Sequence, residues 1–230
     1  MIRVHVDRVR FPALRPFMKL FIWDFHGTLE KGNERAVREI SNRVLEARGY
    51  KERFSDELTH RLYGKKWYEF FMHVLPELEQ PDCIELQEEC ILLQKKEPEI
   101  IERRIEADDH AIETLATIAK AHDQILISGT RSDALTMFIR VTGLDTYFPY
   151  EKCFGIDSHR EDPVFSKEDI AQKYMIEKEF EKIIVIGDSP KDMIPLPNSV
   201  KYLFAREGRE FRDCKADYRI RDLREVLREV

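Results

Sequence analysis

Short apolar runs alternate along the chain with segments whose apolar residues recur at helical spacing. Lys19-Leu20-Phe21-Ile22-Trp23-Asp24-Phe25 is mostly apolar and of strand length, and it runs into His26-Gly27-Thr28, a tight turn. Similar runs are Ile125-Leu126-Ile127, Ile183-Ile184-Val185-Ile186, Tyr202-Leu203-Phe204 and, more weakly, Tyr218 to Ile220. Continuous apolarity, without alternation, predicts strands covered on both faces, as in a parallel sheet. Between them, helical spacing predicts helices over 35–48, stopping at Gly49; over 110–122, capped by Asp109; over 133–141 after Ser132; and over 167–178. The last of these follows Ser166, with Asp169 three positions on as a capping box. A final helix carries Leu223, Val226 and Leu227. Strands alternating with helices after residue 110 predict an α/β protein.

The stretch 50–109 shows no convincing strand, only helical segments near 56–63, 66–75 and 82–96 punctuated by Gly64, Pro76, Pro81 and Pro98. The expected organisation is therefore an α/β core from 18–32 and 110–230, with residues 33–109 inserted as a helical module. Residues 1–17, rich in arginine and broken by Pro12 and Pro16, read as an appendage.

Charge refines this picture. Among 230 residues, 36% are charged and 43% apolar, the balance of a folded chain with a heavily charged surface. The net charge of −6 falls entirely in residues 33–109, which hold 13 Lys/Arg and 19 Asp/Glu. An acidic insert argues against nucleic acid as a partner, since backbone affinity depends on Lys/Arg neutralising phosphates; a small substrate is favoured. No apolar run approaches the ~20 residues of a membrane span, and no signal-peptide pattern opens the chain, so no membrane partner and a cytoplasmic location are expected. Four cysteines without C-x-x-C spacing read as free thiols. Oligomeric state is open.

Four places combine reactive side chains with strand ends or helix starts: Asp24, Ser128, Lys167 and Gly187-Asp188-Ser189-Pro190-Lys191-Asp192. In an open parallel sheet, ligands bind beyond the carboxyl ends of the strands, where these residues can converge. Carboxylates, a hydroxyl and an ammonium suit a magnesium-bound phosphate. Each also has a plain structural reading: Asp24 as a helix cap, Ser128 as a turn residue, Lys167 as a solvated side chain, and Ser189, Pro190 and Asp192 as a capped helix start.

The order and spacing of these segments resemble the haloacid dehalogenase superfamily. The match runs through Asp24-Phe25-His26-Gly27-Thr28 against D-x-D-G-T, Ile127-Ser128-Gly129-Thr130, Lys167, and Gly187 to Asp192 against G-D-S-x-x-D. The ending Ala216 to Leu223 is similar to that of the phosphoglycolate-phosphatase-like branch. The resemblance implies a Rossmann-like parallel sheet with a helical cap, and a Mg²⁺-dependent phosphatase that hydrolyses a small phosphomonoester through an aspartyl-phosphate. It implies Asp24 as nucleophile and metal ligand, His26 as a metal ligand through its carbonyl, Asp188 as the acidic metal ligand on the other strand, and Asp192 in support of the metal or of Lys167. Ser128, Gly129 and Lys167 would hold the phosphoryl group. His26 is the departure, standing where the family's phosphatases place a second aspartate as acid and base. Imidazole can serve that role, because it ordinarily titrates near neutral pH; the alternative is a catalytically silent phosphate- or metal-binding relative. In the insert, Lys65 and Lys66 beside Gly64 are candidate substrate contacts, whereas Trp67, Phe70, Phe71 and Val74 read as the insert's own core. Arg206 to Glu210, of mixed sign, reads as a solvated turn and helix start.

Overall fold

Strand β1 (Leu20–Trp23) is buried at all four positions because both its faces are covered. Phe21 and Trp23 enter one core, and Leu20 and Ile22 enter a second with Ile125, Ile127, Ala171 and Val185. A computed structural model describes residues 18–157 and 165–230, so the appendage expected over 1–17 lies outside the described residues. The main sheet has six parallel strands in the order β5 (Cys153–Gly155), β4 (Asp123–Ser128), β1, β6 (Ile183–Gly187), β7 (Ser199–Phe204) and β8 (Tyr218–Ile220). This is a Rossmann-like α/β sheet. Its register sets Trp23 opposite both Leu126 and Ile186, so Asp24, Ser128 and Asp188 leave the sheet along one edge. The one amide within the central strands is satisfied: Trp23 Nε1 donates to Gln124 Oε1 at 3.1 Å, and Gln124 Nε2 donates to the Leu115 carbonyl at 3.0 Å.

Helices α6 (Ala111–Ile118), α7 (Ser132–Val141) and α8 (Lys167–Met175) belong to the sheet part of the chain. The expected cap of α6 differs. His110, in the left-handed region at φ 65°, precedes the helix and makes no side-chain cap bond to its backbone, its ring instead lying 2.8 Å from Glu113, while Asp109 pairs with Lys31 at 2.8 Å. Ser166 and Asp169 do form the capping box at α8. The chain closes on a 3₁₀ segment, Leu223–Glu229, where a helix was expected.

Five helices fill the insert: α1 (Asn33–Ala47), α2 (Asp56–Leu62), α3 (Trp67–Val74), α4 (Gln80–Lys96) and α5 (Glu99–Glu102). The chain enters and leaves this bundle through a short antiparallel ribbon of β2 (Glu30–Lys31) and β3 (Glu106–Ala107). The sequence showed no strand in this stretch, because a two-residue ladder of charged and small residues leaves no apolar run. Gly32 must be glycine here, since at φ 99° a Cβ would lie 1.8 Å from the Arg104 carbonyl oxygen. No described helix is long and apolar enough to cross a membrane. All four cysteines are free, with Cys83 and Cys90 buried in the insert.

Within 206–210 the expected solvated turn is present, with Glu207, Gly208 and Glu210 exposed, but Arg206 departs from it. It reaches across to the buried Asp108 carboxylate and the Glu30 carbonyl, joining the end of β7 to β2 and to the residue that follows β3. No helix starts there; Arg209 extends the clamp to Glu34 at 2.9 Å. Burial raises the Asp108 pKa even against Arg206, as expected where desolvation exceeds the Coulombic gain. Removing only the cation leaves a buried carboxylate without its partner, so Arg206→Met is expected to destabilise the fold by about 3 kcal/mol. Urea unfolding should show this, and Arg206→Met combined with Asp108→Asn should recover most of the loss. A solvated arginine would instead give no measurable change.

Candidate active site

Asp24 follows β1, where the chain turns sharply through Gly27 at φ 87°. A side chain at Gly27 would collide with Asp188, its Cβ lying 2.5 Å from Oδ2, so glycine lets the two strand ends approach. Asp188 follows β6, and Asp192 ends a short 3₁₀ turn whose capping box is built by Ser189. Ser189 donates to Asp192 Oδ2 through its backbone N–H at 2.9 Å and its hydroxyl at 2.6 Å. The structural reading of this start and a place in the site thus hold together: capping uses one oxygen of Asp192 and leaves the other to Lys167.

Lys167 opens α8, where the helix dipole disfavours a cation. Its position is explained by two carboxylates, Asp24 Oδ1 at 2.6 Å and Asp192 Oδ1 at 2.7 Å. Burial disfavours the ammonium, but Asp192 and Asp24 outweigh it and hold the Lys167 pKa above its ordinary value. One ammonium does not balance three acids. Burial, then Asp192, push the Asp24 carboxyl up to about 6. Burial, then Asp192 and Asp24, push Asp188 well above the usual range, with Arg212 Nη2 3.8 Å away in partial relief. Ligand oxygens of Asp24, Asp188 and Asp192 lie within 4.8 Å of one another. An all-oxygen donor set with excess negative charge fits a hard cation such as Mg²⁺.

Ser128 ends β4, buried, with its Oγ accepting from the Thr130 N–H at 3.2 Å. Thr28 donates to Asp24 Oδ2 at 3.2 Å. His26 sits with its ring edge-on to Phe25 and Phe138, with centroids 4.9 Å away in both cases. Its Nδ1 lies 3.1 Å from Glu30 Oε1. Glu30 is fully buried and accepts backbone N–H bonds from Gly27 at 3.1 Å and Asn33 at 3.3 Å. Such a carboxylate only accepts, so Nδ1 is the donor and Nε2 is the ring nitrogen that Glu30 does not engage. Glu30 was not singled out from the sequence, although a glutamate four residues after a histidine was visible there.

The expected site residues border one cavity of about 530 Å³: Asp24, His26, Ser128, Gly129, Lys167, Asp188 and Asp192 from the sheet side, Lys65 and Lys66 from the insert. Trp67 and Phe70 are buried in the insert as expected and also border this cavity. Lys95 on α4 reaches Asp133 on α7 at 2.9 Å, so insert and sheet part touch beside it.

A family model for haloacid dehalogenase-like hydrolases matches residues 18–198. No curated protein sequence matches the chain. Solved structures share its architecture. A HAD family hydrolase from Deinococcus radiodurans with bound phosphate and sodium is 16% identical at a TM-score of 0.61, covering 92% of this chain and 94% of its own. A HAD-superfamily hydrolase of subfamily IA from Geobacter sulfurreducens is 19% identical at 0.64, covering 95% and 99%. A protein named as a predicted phosphoglycolate phosphatase, from Haemophilus somnus, is 12% identical at 0.68, covering 95% and 99%. At such identities the likeness is one of fold. The family model, in contrast, spans the strand ends that carry Asp24, Ser128 and Asp188 together with Lys167, and by that match the chain belongs to the haloacid dehalogenase-like hydrolases.

Proposed function

We propose that this hydrolase cleaves a small-molecule phosphomonoester through an aspartyl-phosphate on Asp24, with Mg²⁺ as cofactor. The observation that carries this reading is the buried Asp24–Lys167–Asp192 cluster beside Asp188, in which three carboxylates face one ammonium. Asp24, Asp188, Asp192 and the His26 carbonyl would hold the metal. When bound, Mg²⁺ supplies positive charge against which an anionic phosphate can approach a carboxylate. Lys167, Ser128 and the Gly129 backbone then hold the phosphoryl oxygens in line with Asp24. Asp24 attacks phosphorus and the ester P–O bond breaks, while the leaving oxygen takes a proton from His26. Water next attacks phosphorus, His26 accepts its proton, and Asp24 is regenerated with release of inorganic phosphate. The insert acts as the cap, and its Lys65 and Lys66 draw the phosphate into the cavity. Residues 18–32 and 110–230 form the catalytic core.

A screen of phosphate esters with Mg²⁺ and with EDTA tests this. Turnover is expected only with the metal, and Asp188→Asn should raise the Mg²⁺ needed for half-maximal rate by about tenfold or more. At saturating Mg²⁺, around 100 times Kd, linkage should stabilise the wild type by about 2.7 kcal/mol, and the variant less at the same concentration. Phosphate binding without turnover of any ester would leave the silent relative as the reading. Turnover indifferent to EDTA would remove the metal.

A further inference from the structure

The cavity exceeds what a phosphate group requires. About 530 Å³ lies within the range of pockets that enclose drug-sized ligands, and a two-carbon ester would leave most of it unfilled. Beyond the carboxylates most of its exposed wall is apolar, with Val37, Trp67, Phe70, Ile91 and Phe138 among its residues, although Asn33, Tyr63, Lys65, Lys66 and Lys191 border it too. Gln94 interrupts this wall. It lies on α4, borders the cavity and is only 8% exposed, yet its amide makes no hydrogen bond with any described residue. Its amide atoms are not fully enclosed and open to the cavity, so a ligand that fills the cavity must replace the hydrogen bonds of solvent there or leave the amide unpaired, which is costly. Its chain neighbour Lys95 is held by Asp133 at 2.9 Å, and Arg131, another cavity residue, binds the same carboxylate at 3.2 Å.

Resting on the phosphatase reading, we propose that the substrate is the phosphomonoester of a bulky alcohol or phenol carrying one amide-type group, and that Gln94 binds that group. The apolar wall receives the body, the carboxylate cluster end receives the phosphate, and the Gln94 amide completes its donor and acceptor with the substrate's. Selectivity then rests on polar matching, which discriminates more sharply than apolar bulk, because a ligand without the amide leaves Gln94 unpaired.

The test compares three esters binding to the full-length Asp24→Asn protein by calorimetry, with inorganic phosphate as reference. 4-Acetamidophenyl phosphate carries the amide, 4-isobutylphenyl phosphate has the same shape without it, and 2-phosphoglycolate lacks the body. The acetamido ester should bind roughly 10- to 100-fold tighter than its isostere, the span an unsatisfied buried amide implies. Phosphoglycolate should bind more weakly than either. Gln94→Leu in the same background should invert the order of the two aryl esters. The proposal is overturned if phosphoglycolate binds tightest, if the aryl esters are indistinguishable, or if their order survives Gln94→Leu. Wild-type turnover of the same esters separates the two readings: the predicted binding order without turnover sinks the phosphatase alone, and Mg²⁺-dependent turnover without the order sinks the amide proposal alone.

Discussion

Asp24→Asn is expected to lower phosphate-ester turnover by about 10⁴-fold or more, the scale on which removal of a nucleophile acts. An amide neither attacks phosphorus nor contributes charge to a cation. The same variant carries a second, independent signature. In the metal-free protein, burial and Asp192 hold the Asp24 carboxyl up to about 6, against an ordinary value of 3.8. A carboxyl whose folded pKa is raised costs stability once it ionises. The wild type therefore loses stability as pH rises from about 4 to 6, and the loss persists above. Asparagine has no proton to lose. In EDTA at pH 7.5, Asp24→Asn should unfold at higher temperature than the wild type, and the gap should close as pH falls toward 4. Thermal scans and steady-state kinetics on one preparation check both. Retained turnover would remove Asp24 from the chemistry. A variant less stable than wild type at pH 7.5 would show that the cluster is not repulsive.

The positions in this cluster could be read from the sequence because each follows a run whose apolarity has a physical cause. β1, β4 and β6 are central strands covered on both faces, so nearly every residue is apolar and their ends are sharp. Asp24, Ser128 and Asp188 stand at those ends. Lys167 lies within a capping box, directly after its Ser166, and the box is itself a local signal. What stayed hidden depends on approaches between distant parts of the chain. Arg206 is 176 residues from Glu30, and nothing in its charged neighbourhood distinguishes a clamp from a solvated turn. Arg212 likewise meets the Tyr63 carbonyl at 2.9 Å and lies beside Asp188 only through folding. The two-residue strands of the ribbon have no periodicity to detect. Gln94 was not singled out from the sequence, because its burial depends on α1 and α3, which pack against α4.

His26 is expected to move the proton that the family's aspartate usually moves, and Glu30 is expected to hold it in place. The geometry supports this division. Glu30 accepts from Nδ1 at 3.1 Å while two backbone N–H groups fix its own position, and Phe25 and Phe138 confine the ring. Nε2 is then the nitrogen available to exchange a proton with the leaving oxygen and afterwards with water. His26→Ala should slow turnover by about 10²- to 10⁴-fold, the usual range for one acid–base group. His26→Asp should restore a substantial part of it by returning a carboxyl to that turn. Glu30→Gln should fall between, because an amide can donate to Nδ1 as readily as accept from it, and the ring loses its preferred tautomer. The leaving group sharpens the test. With 4-nitrophenyl phosphate, departure needs no proton, so His26→Ala should still form phospho-Asp24 at near wild-type rate and then stall at hydrolysis. Rapid-mixing kinetics should show a nitrophenol burst of one equivalent followed by slow release of phosphate. If His26→Ala instead retains the wild-type rate with a poor leaving group such as glycerol phosphate, the ring only fills space between Phe25 and Phe138, and the proton takes another route.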